Sequence, residues 1–84
     1  MKFFIYILHS QSTGKYYVGQ TSNIENRLHK HNNGYVKSTK WQIPLVIVHT
    51  EEFKTRSEAM KREKEIKSKK KRAYIEKLIS NKRK

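Results

Sequence analysis

Five side chains within the first 63 residues belong to types that act on phosphate esters: two tyrosines, an arginine, a histidine and a glutamate. Tyr6 and Tyr17 each lie in a short run of β-forming residues. Arg27 and His31 are four residues apart, which makes them neighbours on a helix. An arginine stabilises the charge that develops on a pentavalent phosphate, and a histidine accepts or relays a proton near neutral pH. A tyrosine beside cations can act as a general base, because those charges lower its pKa.

Glu63 is the most informative acidic residue, since it falls on an apolar helical stripe between Met60 and Ile66. A carboxylate there must be paired, protonated or bound to a metal, because an isolated buried charge is costly. An ion pair with Arg27 or a lysine and ligation of a metal remain equally open. Mg²⁺ accepts one or two protein carboxylates, with water and substrate phosphate as the other ligands. All seven acidic residues are glutamates, so the composition permits a one-metal site on Glu63 rather than a two-metal cluster.

The other candidates also have structural explanations. Arg27 would serve equally well in an ion pair with Glu63, and a single histidine such as His31 is more often a packed, hydrogen-bonded core residue. Tyr6 and Tyr17 are weak evidence when each is taken alone, because strand tyrosines are usually core residues.

The elements that position these residues begin with two strands. Residues 2–9 favour a strand, and their apolar side chains on both faces predict a central strand that is buried on both sides. Residues 10–14 form a polar turn that ends in glycine, and residues 15–20 favour a second strand, paired antiparallel with the first. A register with Tyr6 opposite Tyr17 places both tyrosines on one face of the sheet.

The first helix is predicted from a capping box, with Ser22 as N-cap and Glu25 at the third helical position. It should run to about residue 32 and end near Gly34. Helical spacing places Arg27 and His31 on the face turned toward the sheet, together with two apolar residues.

Residues 43–53 favour a third strand, and Thr55 with Glu58 forms a second capping box. The inward stripe of the helix that follows is predicted to include Ala59, Met60, Glu63 and Ile66. A charge run over residues 68–72 predicts a break, and residues 73–80 form a last helix. The sequence therefore predicts one α+β domain over residues 1–80, in the order β-β-α-β-α-α with helices against a three-stranded sheet, and a frayed basic tail over residues 81–84.

The net charge of +13, from 20 basic and 7 acidic residues, favours a polyanionic partner. A solvated basic tail is the structural alternative, and an acidic membrane surface ranks third. Basic and aromatic side chains together suit contact with a nucleic-acid backbone and stacking on bases, although Trp41 would equally cover the edge of the core. The predicted nucleic-acid contacts are Lys37, Lys40, Trp41, Lys67, Lys69 and Lys70.

The absence of cysteine excludes disulfides, thiolate metal sites and cysteine nucleophiles. The longest apolar run, residues 3–8, is far shorter than the ~20 residues of a membrane span, and no signal-peptide cleavage site follows it. A cytoplasmic protein without a membrane partner is expected.

With these residues in this order, the chain resembles the GIY-YIG nuclease superfamily. FIY at residues 4–6 and YVG at residues 17–19 match the two name-giving motifs, and the match extends over about residues 3–79. The later matching residues are Arg27, His31 and Glu63. The chain is most similar to small stand-alone proteins related to the N-terminal nuclease domain of the excinuclease C subunit.

The resemblance implies a three-stranded antiparallel sheet flanked by helices, and metal-dependent cleavage of one DNA strand by an activated water, in DNA repair or processing. By this analogy Glu63 holds Mg²⁺ or Mn²⁺ and Arg27 steadies the scissile phosphate. Tyr6 and Tyr17 line the site, one as general base and the other positioning water or phosphate, with His31 assisting the base. Which tyrosine is the base stays open.

Three positions depart from the family pattern. Phe4 replaces the usual glycine of the first motif, a packing change expected beside Gly19. Gln20 stands where the excinuclease group has a lysine, and Ile75 lies where several members have an asparagine near the metal. With no second module expected, specificity would come from branched or otherwise structured DNA or from a protein partner, or would be absent.

Two rival functions follow from the same residues. A catalytically weak or inactive module of this fold would bind nucleic acid through the same basic half without cutting it. An RNA-binding or ribosome-associated protein is the third alternative, and it would prefer RNA.

Overall fold

The computed structural model describes residues 2–37, 39–69 and 72–81. Its elements are β1 (Phe3–Ser10), β2 (Tyr16–Thr21), α1 (Ile24–Asn32), a short 3₁₀ helix (Lys40–Gln42), β3 (Leu45–Phe53), α2 (Arg56–Lys69) and α3 (Arg72–Asn81). The α+β class and the order β-β-α-β-α-α are therefore confirmed. The predicted break includes residues 70 and 71, and most of the predicted tail is residues 82–84; these lie outside the described residues. Among the described helices, none is long and apolar enough to cross a membrane.

The three strands form an antiparallel sheet in the order β2-β1-β3, so β1 is the central strand. Ile5, Ile7 and Leu8 of β1 are fully buried. Successive side chains of a strand point to opposite faces, so this burial requires cover on both sides of the sheet. The structure confirms the central strand that the apolar residues on both faces predict.

Helices cover both faces of the sheet, within a domain that measures 31 × 29 × 25 Å. On one face, the core comprises Ile5, Ala59 and Ile66, with Tyr74, Ile75 and Leu78 of α3 packed against it. On the other face, the core comprises Tyr6, Leu8 and Leu45, with Tyr17, Leu28 of α1 and Ile47 packed against it. Helices α2 and α3 thus share one face, and α1 lies on the other.

The register of the β1–β2 hairpin differs from the predicted one. Tyr6 lies opposite Gly19 rather than Tyr17, and Leu8 lies opposite Tyr17 rather than Lys15. The displacement is two residues, and side chains alternate with a period of two, so every side chain keeps its predicted face. Both tyrosines still lie on one face of the sheet.

The turn between β1 and β2 explains the error. Ser10 N donates to Lys15 O at 2.8 Å, so four residues separate the paired strands. The last of them is Gly14, at φ +77°, a backbone conformation that glycine adopts at little cost. The predicted register centres the hairpin between residues 11 and 12, whereas the observed pairing centres it between residues 12 and 13.

The first helix begins one residue later than the capping box predicts. Asn23, not Ser22, is the N-cap, and its Oδ1 accepts a hydrogen bond from Asn26 N at 3.0 Å. Asparagine and serine are about equally good N-caps, so the two adjacent residues compete for this position and the sequence alone does not decide between them. The predicted end is confirmed, because α1 ends at residue 32 and Gly34 adopts φ +77°.

The capping box that opens α2 is confirmed, since Glu58 N donates to Thr55 Oγ1 at 3.2 Å. The predicted inward stripe is wrong at one position. Ala59 is fully buried, whereas the side chain of Met60 points outward and is 52% exposed. Glu63, which the sequence placed on the inward stripe, is half-buried.

Gly19 is the position at which the ring of Tyr6 crosses β2. A Cβ atom built on Gly19 would lie 2.6 Å from Tyr6 Cζ and 3.0 Å from Tyr6 Cε2. Real Cβ atoms do not approach a ring this closely, so any side chain here would displace the tyrosine.

Gly19→Ala is therefore expected to lower the free energy of unfolding by ~1–3 kcal/mol, the usual effect of forced overpacking, as measured by urea denaturation. The control is the same substitution in a Tyr6→Leu background, where the shorter side chain does not reach across β2 and the loss should be much smaller. Equal losses in both backgrounds would show that the Tyr6 ring is not the obstacle.

Candidate active site

An open cleft of about 410 Å³ lies at the outer edge of β2, and all five predicted catalytic side chains line it. These are Tyr6, Tyr17, Arg27, His31 and Glu63. Neighbouring positions on the wall are Val18, Gly19, Gln20, Val36, Thr39 and Lys67. The fold therefore brings together residues that are far apart in the sequence, and their catalytic roles stay predictions.

Two features of the fold let the five residues meet. Strand β2 is an outer strand, so side chains from both faces of the sheet can converge on its free edge. Tyr6 comes from the central strand and reaches this edge by crossing Gly19, which has no side chain to block it. Helix α1 brings Arg27 and His31 from one face, and α2 brings Glu63 from the other.

Tyr6 and His31 form a hydrogen-bonded pair inside the cleft. Tyr6 Oη lies 3.3 Å from His31 Nε2, and His31 Nδ1 lies 2.8 Å from Thr39 Oγ1. The Thr39 hydroxyl donates to the Val36 carbonyl at 3.3 Å, so it accepts from His31 Nδ1–H. This network assigns the proton of neutral His31 to Nδ1, and Nε2 accepts the hydrogen bond from the Tyr6 hydroxyl.

Burial keeps both members of this pair neutral. Burial lowers the pKa of His31, and the positive charge of Arg27 lowers it further. Burial raises the pKa of Tyr6; Arg27 opposes this increase and Glu63 adds to it. At neutral pH the cleft thus holds a protonated phenol that donates to an imidazole with a free lone pair.

Tyr17 has a different environment from Tyr6. The Gln42 side-chain amide donates a hydrogen bond to Tyr17 Oη, and Gln42 Oε1 accepts from Thr13 Oγ1 at 3.0 Å. Gln42 is fully buried and its two side-chain bonds fix its orientation. The hydroxyl proton of Tyr17 is therefore available to a group in the cleft, whereas that of Tyr6 is already donated to His31.

Thr39 and Gln42 are site residues that the sequence analysis did not identify. Both lie in the loop between α1 and β3, and both are almost completely buried. Their types are common in surface loops, and no periodic pattern marks them as inward-facing. Only the tertiary contacts show that Thr39 sets the tautomer of His31 and that Gln42 holds Tyr17.

Glu63 pairs with a lysine, one of the two alternatives that the sequence left open. Its Oε2 lies 2.7 Å from Lys67 Nζ, one turn further along α2. The side chain of Glu63 is 19% exposed and that of Lys67 is 56% exposed. Within the described residues, no ion pair joins Glu63 to Arg27, which is exposed at the rim of the cleft.

Arg62 anchors the turn of α2 that carries Glu63. Its guanidinium binds Glu51 of β3 through two hydrogen bonds, from Nε at 2.8 Å and from Nη2 at 3.1 Å. His49 Nε2 lies 2.8 Å from the same carboxylate. Burial would raise the pKa of Glu51, but the hydrogen bonds from Arg62 and His49 outweigh it and hold the pKa below its usual range. The Arg62–Glu51 pair fixes α2 against β3, on the opposite side of the central strand from the cleft.

The donor set of the cleft fits a single hard cation. Glu63 supplies one carboxylate, and the side-chain Oε1 of Gln20, on the same wall, is buried without a hydrogen-bond partner among the described residues. Oxygen ligands of this kind suit Mg²⁺, which retains several waters. No group of three or more metal-binding side chains occurs in the described part of the chain.

The predicted nucleic-acid contacts lie on several surfaces. Lys37 and Lys40 are exposed in the loop after α1, and Trp41 is 65% exposed, so it does not cover the core edge as the alternative proposed. Lys67 lines the cleft, and Lys69 is exposed near the end of α2. Lys70 lies outside the described residues.

Two of the three departures from the family pattern fall away from the cleft. Phe4 lies opposite Thr21 rather than beside Gly19, which corrects the expected packing. Ile75 packs against the core beneath α2 and α3 and is not part of the cleft wall. Gln20, by contrast, lines the cleft, as the motif position predicts.

This element order, with a cleft at the outer strand, defines a GIY-YIG domain. The family model of the GIY-YIG catalytic domain matches residues 2–78, and the chain belongs to this family of nuclease domains. The match confirms the resemblance that the two tripeptide motifs indicated.

The relatives found are similar along most of their length. A UPF0213 protein of Staphylococcus saprophyticus is 47% identical over 68 residues, which are 80% of this chain and 82% of the relative. A UPF0213 protein of Natronomonas pharaonis is 40% identical over 79 residues, 93% of this chain and 91% of the relative. The solution NMR structure of a UPF0213 protein from Bacillus halodurans has a TM-score of 0.62 and 35% identity, covering 98% of this chain and 86% of that one.

His31 is expected to titrate below the ordinary histidine pKa of ~6.5, because burial and Arg27 both disfavour the imidazolium. Long-range ¹H–¹⁵N correlation spectra over a pH series should show a neutral ring protonated at Nδ1, assigned by loss of the signal in His31→Gln. Arg27→Gln should raise the pKa. A pKa above 6.5, or a ring protonated at Nε2, would contradict the network.

Proposed function

We propose that this protein is a divalent-metal-dependent endonuclease that hydrolyses DNA phosphodiester bonds with an activated water. The observation that carries the proposal is the convergence of Glu63, Arg27 and the Tyr6–His31 pair on one open cleft. A net charge of +13 supplies the attraction to the phosphate backbone. A pure binding module would have no need of a carboxylate beside the phosphate.

The geometry favours Tyr6 over Tyr17 as the base. A water beside Tyr6 Oη can transfer its proton to the phenol oxygen while the proton of Tyr6 passes to the lone pair of His31 Nε2. This transfer needs no free phenolate, so the raised pKa of Tyr6 is compatible with it. The low pKa of His31 keeps the acceptor unprotonated at neutral pH.

Tyr17 and Arg27 act on the phosphate. Tyr17 directs its proton to a phosphate oxygen, since its own oxygen already accepts from Gln42. The exposed guanidinium of Arg27 neutralises charge that develops on the equatorial oxygens as the water attacks phosphorus and the opposite P–O bond breaks. Such contacts are worth more in the transition state than in the ground state, and this difference accelerates the reaction.

Glu63 would hold the divalent cation, Mg²⁺ or Mn²⁺, whose charge stabilises the phosphate and lowers the pKa of a bound water. Lys67, which now pairs with Glu63, is exposed enough to move to a substrate phosphate. Lys37, Lys40, Trp41 and Lys69 would extend the contact with DNA beyond the cleft, and the proposed setting is DNA repair or processing.

Glu63→Gln should abolish nicking of supercoiled plasmid and of flapped DNA in Mg²⁺ or Mn²⁺, because the amide cannot hold the cation. Wild-type nicking should also stop in EDTA. Glu65→Gln is the matched control, since Glu65 lies on the same helix but does not line the cleft. Arg27→Ala should slow nicking by about 100-fold.

The same assay separates the enzyme from the rival function. DNA binding that persists in Glu63→Gln while nicking is lost supports the enzyme. Wild-type protein that binds DNA but nicks no substrate in any metal would leave a nucleic-acid-binding module as the function. Nicking that survives in Glu63→Gln would place the carboxylate outside the mechanism.

Tyr6→Phe and His31→Gln should each reduce the nicking rate, and the double variant should be little slower than either, because two residues that act as one unit are not additive. Tyr17→Phe combined with His31→Gln serves as the comparison, and there the two losses should multiply. Multiplicative losses for Tyr6 with His31 would assign the base to another residue.

A further inference from the structure

A second concave surface, which we call the β2 groove, adjoins the candidate active site. It has a volume of about 490 Å³ and lies between β2 and helices α2 and α3. Its apolar residues are Val18, Ile66 and Ile75, and its cations are Lys15, Lys67 and Arg72. None of the lining residues that the structure describes is acidic.

This combination of side chains matches a nucleotide better than other ligands. A nucleobase has flat, weakly polar faces that can cover aliphatic side chains, and its flanking phosphates are anionic. A wholly apolar partner would strip water from Lys15, and it would cover Lys67 and Arg72, which already pair with Glu63 and Glu76, without giving any of the three cations a new polar contact. An isolated phosphate would leave the apolar floor exposed to water. The volume lies within the range of sites that bind small organic molecules.

Contacts within the protein hold one wall of the β2 groove in place. The guanidinium of Arg72 lies 4.8 Å above the ring of Tyr16, donates from Nη1 to the Gly14 carbonyl at 2.6 Å and donates from Nε to Glu76 at 3.2 Å. His9 packs on the same tyrosine with ring centroids 4.9 Å apart. A pre-organised wall reduces the entropy lost on binding.

The β2 groove is continuous with the active-site cleft. Tyr17, Val18 and Lys67 line both surfaces. A DNA strand whose scissile phosphate lies in the cleft therefore places a neighbouring nucleotide at the groove. A base in a duplex is stacked on both sides and paired, so only an unpaired base can enter.

We propose that the β2 groove binds an unpaired base next to the scissile phosphate, so that the substrates are DNA strands with unpaired nucleotides at the cut, such as flaps and single-stranded gaps. This inference rests on the proposed nuclease function, because that function places the scissile phosphate in the active-site cleft. It adds a specificity site built by Val18, Ile66, Ile75 and Lys15, none of which belongs to the proposed catalytic machinery.

The test measures binding without cleavage, by fluorescence anisotropy of the full chain in EDTA at fixed salt. The two probes are a DNA duplex and a flapped DNA with the same number of phosphates, so that counterion release is matched. Wild type should bind the flap about tenfold more tightly, the usual effect of accommodating one base. Ile75→Trp fills the groove without changing the charge, and should abolish the preference while leaving duplex affinity intact.

A second variant tests the groove independently of whether Ile75→Trp folds. Lys15→Gln should weaken flap binding more than duplex binding, whereas Lys61→Gln removes the same charge from an exposed position of α2 outside the groove and should affect both probes equally. Photocross-linking of 5-iodouracil at the first unpaired position should give an adduct within residues 15–18.

Equal wild-type affinity for the two probes would overturn the proposal, as would a flap preference that survives in folded Ile75→Trp and Lys15→Gln. Tighter binding of a folded RNA than of either DNA would also overturn it. A flap preference without any nicking in metal would contradict the proposed nuclease alone, and nicking without a flap preference would contradict this inference alone.

Discussion

The contact between the ring of Tyr6 and the backbone of Gly19 is the constraint on which the site depends. Tyr6 belongs to the central strand, whose Ile5 and Leu8 side chains are buried in the two cores. Its hydroxyl reaches the outer edge of the sheet only because the neighbouring strand lacks a side chain at Gly19. Once the phenol is there, residues from helices on opposite faces can approach it. The glycine of the second motif is thus a steric requirement of the cleft.

The ionisable groups of the cleft differ in how deeply they are buried. The groups proposed to exchange protons, Tyr6 and His31, are buried and neutral, and hydrogen bonds orient them. The groups proposed to contact phosphate, Arg27 and Lys67, are exposed at the rim. This arrangement avoids the cost of burying an unpaired cation, and it leaves the cations accessible to a polyanion. Among the described residues that line the cleft, the carboxylate of Glu63 lies at intermediate depth, where a cation can reach it.

The sequence predicted the elements because hydrophobic periodicity and capping signals are local. It also predicted which side chains approach the cleft, since a register displaced by two residues keeps every side chain on its face. It did not predict the register itself, which depends on the length of the turn ending at Gly14, or the N-cap Asn23, which competed with an equally good neighbour. Thr39 and Gln42 were missed because their roles exist only through contacts distant in the chain.

The loop between α1 and β3 has an exposed side and a buried side, described for residues 35–37 and 39–42. Its outer side presents Tyr35 and Trp41, which are 76% and 65% exposed. Its inner side carries Thr39, whose hydroxyl determines which nitrogen of His31 holds the proton. Displacement of this loop would release the imidazole from its tautomer and separate it from Tyr6. If the outer aromatic side chains bind a ligand, that ligand would act on the tautomer of His31 through the backbone of this loop, without contacting the imidazole itself.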